Sequence, residues 1–471
     1  MELRKKTKIV ATIGPATEKT EILTNLIEAG LDVARFNFSH GSHEEHQVRL
    51  EAVKAAASKT RKTIAVIQDL SGPKIRIGDF STEHVQLVSG EPFTLTTEQI
   101  TGDTTRAYVN YPLLPKEVKV GGQILLDDGK KRLEVTSIKG KEVHCKVIVG
   151  GEIKGRRGVN LPGANLSISA LTEKDKEDLQ FGLNNKVTYF ALSFVRHADD
   201  IAELRAILDV AGSDAGIIAK IETPEAVDNI DAIIALSDGV MVARGDLAIE
   251  VPAEMVPMIQ KMIIRKCNDA GKPVITATQM LESMINSPVP TRAEVSDIAN
   301  AIIDGTDAVM LSEETALGKY PAEAVRVMSR VALQIEQNYP ERDLQYKSDN
   351  TEIPDAITSS AVKLAHDINA ELIVALTESG FTARMISRFK PNRLIVAMTP
   401  NEHASEKVML SFGCYPLIIP RFKTIDEAFD LVRSHCLKHG ICEIGGKVVI
   451  AAGAPFDTKG TPTNMLIVKE I

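Results

Sequence analysis

The chain has 471 residues, of which 44% are apolar, and this length suits about three domains with separate cores. Its 55 Lys and Arg and 63 Asp and Glu give a net charge of −8 without a long block of one sign, so no nucleic acid or acidic membrane partner is expected. No apolar run approaches the roughly 18 residues needed to span a bilayer. Five cysteines without a CxxC pair argue against a disulfide framework or structural zinc, and predict reduced thiols in a cytoplasmic protein. Composition thus excludes a mini-protein, a coiled coil and a disordered regulator.

Eight short β-rich apolar runs recur along the chain and alternate with helical segments. This alternation is typical of β-α units and a parallel sheet, and eight units predict a (β/α)8 barrel (TIM barrel) with catalytic residues at the C-terminal strand ends. The predicted strands are residues 8–13, 32–38, 63–69, 188–194, 216–222, 239–245, 273–279 and 308–312. The predicted helices between the later strands are residues 198–211, 224–236, 252–270 and 292–304.

A longer interval interrupts this series after the third strand. Residues 70–187 are too many for one loop, so they must contain structure of their own. Short alternating runs joined by Gly and Asp turns predict strands at residues 85–88, 92–96, 123–126, 132–138 and 142–149. We predict an all-β domain at 70–167, inserted into a barrel formed by 1–69 and 168–340.

The last part of the chain repeats the α/β pattern. Residues 341–352 are polar and lack apolar periodicity, which predicts a linker. Further β-rich runs follow at residues 372–377, 393–398, 415–419, 447–452 and 465–468. They predict a separate α/β domain at 341–471.

Charged residues lie where two neighbouring barrel strands end. Lys220 and Glu222 are two residues apart on one strand, so both side chains point to the same side. That side is the open end of the barrel at the C-terminal ends of its strands, here called the barrel mouth. Asp246 follows the next strand. Two carboxylates beside a lysine form an oxygen-ligand set for Mg²⁺ or Mn²⁺. The alternative is a buried ion pair that fills a layer of the barrel.

Cations also gather at the ends of the second and third strands. The polar residues there are Arg35, Asn37, Ser39, Asp69, Lys74 and Arg76. A guanidinium offers a planar fork of donors suited to phosphate. Positive charge that converges on a metal site predicts a phosphorylated, anionic substrate. The alternative is that Arg35 and Arg76 only solvate the surface.

Hydroxyl and imidazole groups near the same mouth have less specific patterns. Thr278 ends the seventh strand, where its hydroxyl could donate to a carboxylate, relay a proton, or simply cap a helix. His40, His43 and His46 have a spacing that resembles a metal site but lack a strong ligand pattern such as HExxH. We interpret this histidine cluster as a solvated helix start.

Six segments together resemble the signature blocks of the pyruvate kinase family. They are RFNFSHG at 35–41, GVNLPG at 158–163, KIE at 220–222, VARGDL at 242–247, ITATQMLESM at 275–284 and PTRAE at 290–294. The resemblance covers essentially the whole chain and is to the bacterial type without the extra C-terminal phosphohistidine-like domain. It implies a barrel, an inserted β-domain that acts as a lid, a C-terminal regulatory domain and a homotetramer.

The resemblance also implies a reaction: phosphoryl transfer from phosphoenolpyruvate to ADP, giving pyruvate and ATP, with Mg²⁺ or Mn²⁺. By position, Lys220 is the catalytic cation, Glu222 and Asp246 hold the metal, and Arg35 contacts the phosphoryl group. The same match implies that Gly245, Asp246 and Thr278 hold the substrate carboxylate, with Thr278 in the proton relay.

Other matched positions concern the nucleotide and a monovalent cation. The nucleotide-facing positions are Pro15, Asn37, His40, Arg76 and Arg157, the last often a lysine in the family. The family's K⁺ site matches Asn37, Ser39, Asp69 and the carbonyl of Leu70. Lys74 stands where a glutamate is common, which predicts activity without K⁺; the alternative is an exposed lysine with K⁺ still bound. Ala248 replaces a usual glycine, a change expected to be tolerated.

The loop at 377–384 follows a strand and opens a helix, so its hydroxyls and N–H groups suit a phosphate. Thr377, Ser379, Gly380 and Thr382 match the family position that binds a phosphorylated allosteric effector, and ordinary helix capping is the alternative.

Two other functions compete with the kinase. A Mg²⁺-dependent lyase acting on pyruvate enolate would share the carboxylate pair but would not need the large insert or nucleotide-facing arginines. A catalytically silent phosphometabolite-binding homologue would have lost a catalytic residue, whereas all are present.

Overall fold

The computed structural model describes residues 5–164, 166–338, 352–455 and 460–471. Its strands, in chain order, are β1 (Lys8–Thr12), β2 (Val33–Asn37), β3 (Ala65–Asp69), β4 (His84–Leu87), β5 (Pro92–Thr96), β6 (Arg106–Tyr108), β7 (Gln123–Leu126), β8 (Lys131–Lys139), β9 (Glu142–Val149), β10 (Gly151–Lys154), β11 (Val159–Asn160), β12 (Tyr189–Leu192), β13 (Gly216–Ile221), β14 (Gly239–Ala243), β15 (Val274–Ala277), β16 (Ala308–Leu311), β17 (Leu372–Leu376), β18 (Leu394–Thr399), β19 (Cys414–Ile418), β20 (Lys447–Ala452) and β21 (Met465–Glu470).

The helices connect these strands and cover the sheets. They are α1 (Thr20–Ala29), α2 (His43–Thr60), α3 (Leu114–Glu117), α4 (Glu173–Asn185), α5 (Ala198–Val210), α6 (Pro224–Asp228), α7 (Ile230–Leu236), α8 (Arg244–Glu250), α9 (Val256–Asp269), α10 (Arg292–Asp304), α11 (Glu313–Ala316), α12 (Pro321–Asn338), α13 (Ile353–Asp367), α14 (Phe381–Ser387), α15 (Glu402–Lys407) and α16 (Ile425–Lys438).

Eight parallel strands close into the predicted barrel, in the order β1-β16-β15-β14-β13-β12-β3-β2. All eight predicted strands are confirmed, each to within two residues at either end. Their sequences are continuous apolar runs because one face of each strand fills the barrel interior and the other face packs against the surrounding helices. The inner layer includes Val10, Ile67, Ile218 and Met241, all nearly inaccessible to solvent.

Two predicted helices differ from the structure in instructive ways. The helix predicted at 224–236 divides into α6 and α7 at Asn229, whose side-chain amide donates to the Arg196 carbonyl 3.0 Å away. Such a side-chain bond competes with continued helix. The helix predicted at 252–270 begins as α9 at Val256, because Pro257 fits only the first turn.

The insert folds around its own apolar core as predicted. One sheet has the order β11-β7-β8-β9-β5-β6, and β10 pairs with β4. The five predicted strands are present, whereas β6, β10 and β11 were not predicted because segments of two to four residues carry little periodicity. A turn at Asp127, Asp128 and Gly129 has positive φ at all three residues.

The C-terminal α/β sheet has the order β19-β18-β17-β20-β21, with only β21 antiparallel. All five predicted strands are confirmed, and apolar clusters cover both faces of the sheet. Apart from Glu352, the predicted linker at 341–352 lies outside the described residues.

Buried ion pairs and hydrogen bonds join this sheet to the closed end of the barrel, opposite the mouth. Asp307, just before β16, forms an ion pair with the Lys390 ammonium at 2.7 Å and accepts from the Phe412 N–H at 2.9 Å. The ammonium of Lys8, a residue inaccessible to solvent, donates to the Cys414 carbonyl.

Two expectations from composition have structural counterparts. All five cysteines are free and buried. In the part of the chain that the structure describes, no helix is long and apolar enough to cross a membrane.

Candidate active site

Alternating charges line the barrel mouth where β2, β3 and β13 end. The Lys220 ammonium lies 2.9 Å from Glu222 Oε1 and 3.2 Å from Asp69 Oδ1. The Arg35 Nε donates to Asp69 Oδ2 at 2.7 Å, and its Nη1 donates to Thr12 Oγ1 at 2.7 Å. The strand alternation therefore points Lys220 and Glu222 to one side, as predicted.

These groups hold one another in their charged forms. Burial lowers the pKa of Lys220, but the carboxylates of Asp69 and Glu222 outweigh burial and raise it overall. Burial raises the pKa of Asp69, yet the cations of Arg35 and Lys220 bring it below its ordinary value. The mouth therefore keeps the Lys220 ammonium charged at neutral pH.

The second predicted metal carboxylate, Asp246, lies in the first turn of α8 and is exposed. Burial raises the pKa of Glu222, the Lys220 ammonium opposes that rise, and the Asp246 carboxylate adds to it. Two carboxylates that repel each other in this way favour a shared cation. In the described residues, no group of three or more His, Cys, Asp and Glu side chains could hold a metal ion.

The turn after β15 is held in a strained conformation. Thr278 has φ +67° and Gln279 has φ +55°, values that a β-branched residue such as threonine rarely adopts. The Gly245 N–H donates to Thr278 Oγ1 at 2.8 Å, and Arg244 Nη2 donates to the Thr278 carbonyl at 2.8 Å. Such strain is typical of functional sites.

Three of the four predicted K⁺ ligands, Asn37, Asp69 and Leu70, already bond protein groups. Asn37 Oδ1 accepts from the Ser39 N–H at 3.1 Å, and the Leu70 carbonyl accepts from the Ser193 hydroxyl at 2.8 Å. Both Asp69 oxygens face cations, as described above.

Lys74 is exposed, and within the described residues its ammonium forms no ion pair. Partial burial of its side chain lowers the pKa of Lys74, the cations of Lys220 and Arg76 lower it further, and the carboxylates of Asp246 and Glu222 act to raise it.

Of the predicted nucleotide residues, Arg76 lines a cleft between the insert and the barrel. Burial lowers the pKa of His40, and the nearby cations of Lys74, Arg76 and Arg35 lower it further. Arg76 donates to the Arg156 carbonyl at 2.9 Å. The exposed Arg157 guanidinium lies 3.3 Å from Asp127 Oδ1. Pro15 opens a short 3-10 turn after β1.

The histidine cluster is only partly what the sequence predicted. His43 is partly exposed and bonds Asp178 at 2.7 Å. His46 is buried, stacks on Phe38 at 4.1 Å and contacts the His40 carbonyl, so the prediction of a solvated group is wrong for this residue. The apolar neighbour Phe38 removes it from water.

Two family models match the chain. One, described as "Pyruvate kinase, barrel domain", matches residues 4–325, and the other, "Pyruvate kinase, alpha/beta domain", matches residues 355–469. The chain belongs to the pyruvate kinase family.

Curated pyruvate kinases are similar over almost the full length. The chain is 46% identical to pyruvate kinase 2 of Synechocystis sp. over 455 residues, which are 96% of this chain and 77% of that protein. It is 45% identical to the pyruvate kinase of Clostridium acetobutylicum, with 99% of both chains covered. The solved structure of a pyruvate kinase from Cryptosporidium parvum matches with a TM-score of 0.94 and 37% identity, covering 99% of this chain and 96% of that one.

The pyruvate kinase site contains residues that the sequence did not single out. Ser193 Oγ accepts from Lys220 at 2.7 Å, and Arg244 also bonds Asp297 at 2.7 Å. Arg244 lies inside the family motif VARGDL at 242–247, so the sequence alone could have indicated it as a site residue. Ser193 carried no such signal, because its partners lie on two other strands, Lys220 on β13 and Asp69 at the end of β3.

The C-terminal loop of this pyruvate kinase borders a separate cleft. Thr377 Oγ1 accepts from the Gly380 N–H at 2.9 Å, and Thr382 Oγ1 bonds Thr463 Oγ1 at 2.8 Å. The cleft is also lined by Ser379, Phe381, Arg421, Lys423 and Thr461. Arg421 pairs with Glu378 at 2.6 Å. The sequence did not predict Arg421 or Lys423, which come from a loop distant in the chain.

Proposed function

We propose that the barrel mouth transfers the phosphoryl group of phosphoenolpyruvate to ADP, producing pyruvate and ATP. The observation that carries this proposal is the buried Lys220 ammonium held between Asp69 and Glu222. Phosphoryl transfer asks a protein chiefly for positioning and for positive charge at the transferring group. Lys220 and Arg35 supply that charge at fixed positions.

The substrate carboxylate would bind at the strained turn after β15. The N–H groups of Gly245 and Asp246 begin α8, and the Thr278 hydroxyl lies 2.8 Å from the Gly245 nitrogen. We assign these three groups to the carboxylate, with Arg35 on the phosphoryl group. Arg35 already bonds Thr12 and Asp69, so its guanidinium is oriented before substrate arrives.

Glu222 and Asp246 would hold a divalent cation, Mg²⁺ or Mn²⁺. The pair fits because Asp246 and burial raise the pKa of Glu222, a repulsion that a cation would relieve. When bound, the cation supplies further charge stabilisation to the phosphoryl oxygens and the enolate.

The enolate left after transfer must be protonated at carbon. Lys220 stabilises the enolate oxygen, and the Thr278 hydroxyl, which donates to the Ala277 carbonyl at 2.7 Å, holds or relays the proton. Arg244 fixes this turn through the Thr278 carbonyl.

The nucleotide would lie between the insert and the barrel, against Pro15, Asn37, His40, Arg76 and Arg157. The insert, residues 70–167, serves as a lid that excludes water from the transferring phosphoryl group. The barrel then comprises 1–69 and 168–340, and the C-terminal domain 341–471.

Pyruvate production from phosphoenolpyruvate and ADP with Mg²⁺ tests this function. The wild-type protein should turn over, and Lys220→Met should lose about 10²–10³-fold in kcat, as for loss of one preorganised charge donor. The matched control is Lys438→Met, an exposed lysine on α16. Absence of turnover in the wild-type protein would favour the silent homologue. Pyruvate released without ADP from another precursor would favour the enolate lyase.

The cleft beside the loop at 377–384 is proposed as the site of a phosphorylated allosteric effector. Arg421 and Lys423 support this proposal because they add cations to the hydroxyls of Thr377, Ser379 and Thr382 and the N–H of Gly380. Sugar phosphates and nucleoside monophosphates, added at subsaturating phosphoenolpyruvate, should change the rate of the wild-type protein and not of Arg421→Ala. We also propose the homotetramer typical of the family, to be measured by light scattering.

A further inference from the structure

One hydrogen bond joins the lid to the barrel away from the two chain segments that connect the two domains. Asn160 Nδ2, in the lid, donates to Glu250 Oε1, in the barrel, at 2.8 Å. Among the described residues between 73 and 166, no other hydrogen bond or ion pair reaches the barrel. The side chains of both partners are partly buried. This bond is therefore positioned to determine how the lid sits over the mouth.

On the lid side, Asn160 belongs to the backbone frame that carries the nucleotide-facing arginines. Its strand β11 pairs with β7, with Asn160 opposite Leu125. Two residues earlier, Gly158 forms a bridge with Arg76, and the Arg157 carbonyl accepts from the Ile77 N–H at 3.0 Å. A shift of Asn160 would therefore carry Arg76 and Arg157 with it.

On the barrel side, Glu250 is the last residue of α8. The first turn of that helix contains Gly245 and Asp246, assigned above to the substrate carboxylate and the metal. Ile249 lies beside Gly129 of the lid, where an added Cβ would be 3.7 Å from its side chain. One seven-residue helix thus links the substrate end of the mouth to the lid.

We propose that Glu250 is a positioning residue that fixes the lid over the barrel through Asn160 and so sets the affinity for the nucleoside diphosphate. The inference rests on the proposed function, because it takes Arg76 and Arg157 as nucleotide contacts. Phosphoenolpyruvate binds to barrel residues alone in that scheme. Loss of the bond therefore affects ADP more than phosphoenolpyruvate.

Single substitutions should change KM for ADP much more than KM for phosphoenolpyruvate. Glu250→Ala and Asn160→Ala should each raise KM for ADP about tenfold, the effect of leaving a partly buried hydrogen-bonding group without its partner. KM for phosphoenolpyruvate should change less than about twofold. Glu250→Gln retains an acceptor oxygen and should stay within about threefold of wild type. Equal rises in both KM values, or a Glu250→Gln variant as impaired as Glu250→Ala, would overturn the proposal.

Exchanging the donor and acceptor of the Asn160–Glu250 hydrogen bond tests the pair directly, because a residue with only a structural role would not be rescued by the exchange. Asn160→Asp places two carboxylates together and should weaken ADP binding more than Asn160→Ala. Adding Glu250→Gln restores the bond with donor and acceptor exchanged, so the double variant should recover most of the ADP affinity. A double variant no better than Asn160→Asp contradicts the proposal.

The matched control is Glu254→Ala, which removes an exposed glutamate four residues beyond Glu250. Its KM values should equal those of the wild type, and the thermal midpoints of all variants are measured alongside. Turnover by the wild-type protein tests the proposed function separately. A kinase whose KM for ADP is indifferent to Glu250 retains that function and refutes only the lid contact.

Discussion

At the scale of single residues, the barrel mouth depends on charges that compensate one another. Lys220 has a raised pKa although burial acts to lower it, because Asp69 and Glu222 both lie within 3.2 Å of its ammonium. Removing one charge from such a group leaves another buried without compensation. Lys74 differs from these residues because it is exposed and, in the described part of the chain, has no ion-pair partner.

The K⁺ requirement is a prediction about Lys74. Replacing K⁺ with tetramethylammonium at constant ionic strength should change the wild-type rate less than about twofold, because the lysine already supplies a positive charge. Lys74→Glu should become K⁺-dependent, losing at least about tenfold without it, equivalent to roughly 1.4 kcal/mol. Pyruvate formation is the measurement, and Lys119→Glu, an exposed lid lysine, is the control. A large fall in the wild-type rate without K⁺ would contradict the prediction.

At the scale of elements, the lid is attached by two chain segments that one residue of α4 holds together. Asp175 is inaccessible to solvent; its Oδ1 accepts from the Gly72 N–H at 3.2 Å and its Oδ2 from the Thr172 N–H at 2.9 Å. Gly72 lies on the segment entering the lid and Thr172 on the segment that returns. Asp175 therefore fixes the hinge, while Asn160 and Glu250 act at the far side.

The hinge prediction concerns Asp175→Asn. The amide retains one acceptor oxygen, so one of the two segments loses its bond, and unfolding should become easier by about 1–3 kcal/mol. Amide hydrogen exchange should accelerate at residues 70–73 and 168–172. Denaturant unfolding and exchange mass spectrometry measure these effects, with the exposed Glu177→Gln as control. Unchanged exchange at both segments would show that Asp175 does not hold the hinge.

The lid contact also predicts a pH dependence. Burial raises the pKa of Glu250 to about 7, with Glu225 and Asp246 adding to the rise and the Asn160 hydrogen bond opposing it. In an open lid the pKa of the Glu250 carboxyl returns toward its ordinary value of 4.5. Closing the lid therefore takes up a proton when the pH lies between 4.5 and about 7. The stabilisation of the closed lid is complete below the lower value and is lost as pH rises through 7.

KM for ADP should therefore rise up to about tenfold between roughly pH 6 and 8 in the wild-type protein. The glutamine of the Glu250→Gln variant does not titrate. The KM of this variant should therefore change with pH only as far as titration of ADP itself requires. The measurement is KM for ADP across this range in both proteins. Parallel profiles would exclude Glu250 as the titrating group.

At the scale of the whole molecule, the closed end of the barrel and the C-terminal sheet share a buried polar interface. Asp307 pairs with the Lys390 ammonium and accepts from the Phe412 N–H. Arg388 pairs with Asp355 at 2.6 Å and donates to the Asp269 carbonyl at 3.0 Å. α14 connects this interface to the cleft at 377–384, because it begins at Phe381 and ends at Ser387, whose hydroxyl donates to the Phe412 carbonyl. The two domains are thus coupled through charged groups rather than an apolar surface alone.

Lys390→Met should lower the free energy of unfolding by about 3–5 kcal/mol, because it leaves the Asp307 carboxylate buried without its cation. Adding Asp307→Asn should recover part of this loss, since the uncompensated charge is then removed. Denaturant unfolding is the measurement, and Lys438→Met is the exposed control. Equal stability of Lys390→Met and the control would show that the pair contributes little.

The local pattern of the sequence determined the barrel strands, the five main strands of the insert and the C-terminal sheet. Buried parallel strands are continuous apolar runs, and side chains alternate along a strand, so this alternation alone placed Lys220 and Glu222 on one side. The division at Asn229 escaped prediction because it depends on the Arg196 carbonyl, which a different segment supplies.

What only the tertiary structure decided are the contacts between residues far apart in the chain. Arg35 meets Asp69, Ser193 links Lys220 to Leu70, and His46 is buried by Phe38 rather than solvated. Asn160 and Glu250 are 90 positions apart and belong to different domains, so neither periodicity nor spacing relates them. Sequence patterns record which face of an element is buried, whereas partners across elements depend on how the chain packs.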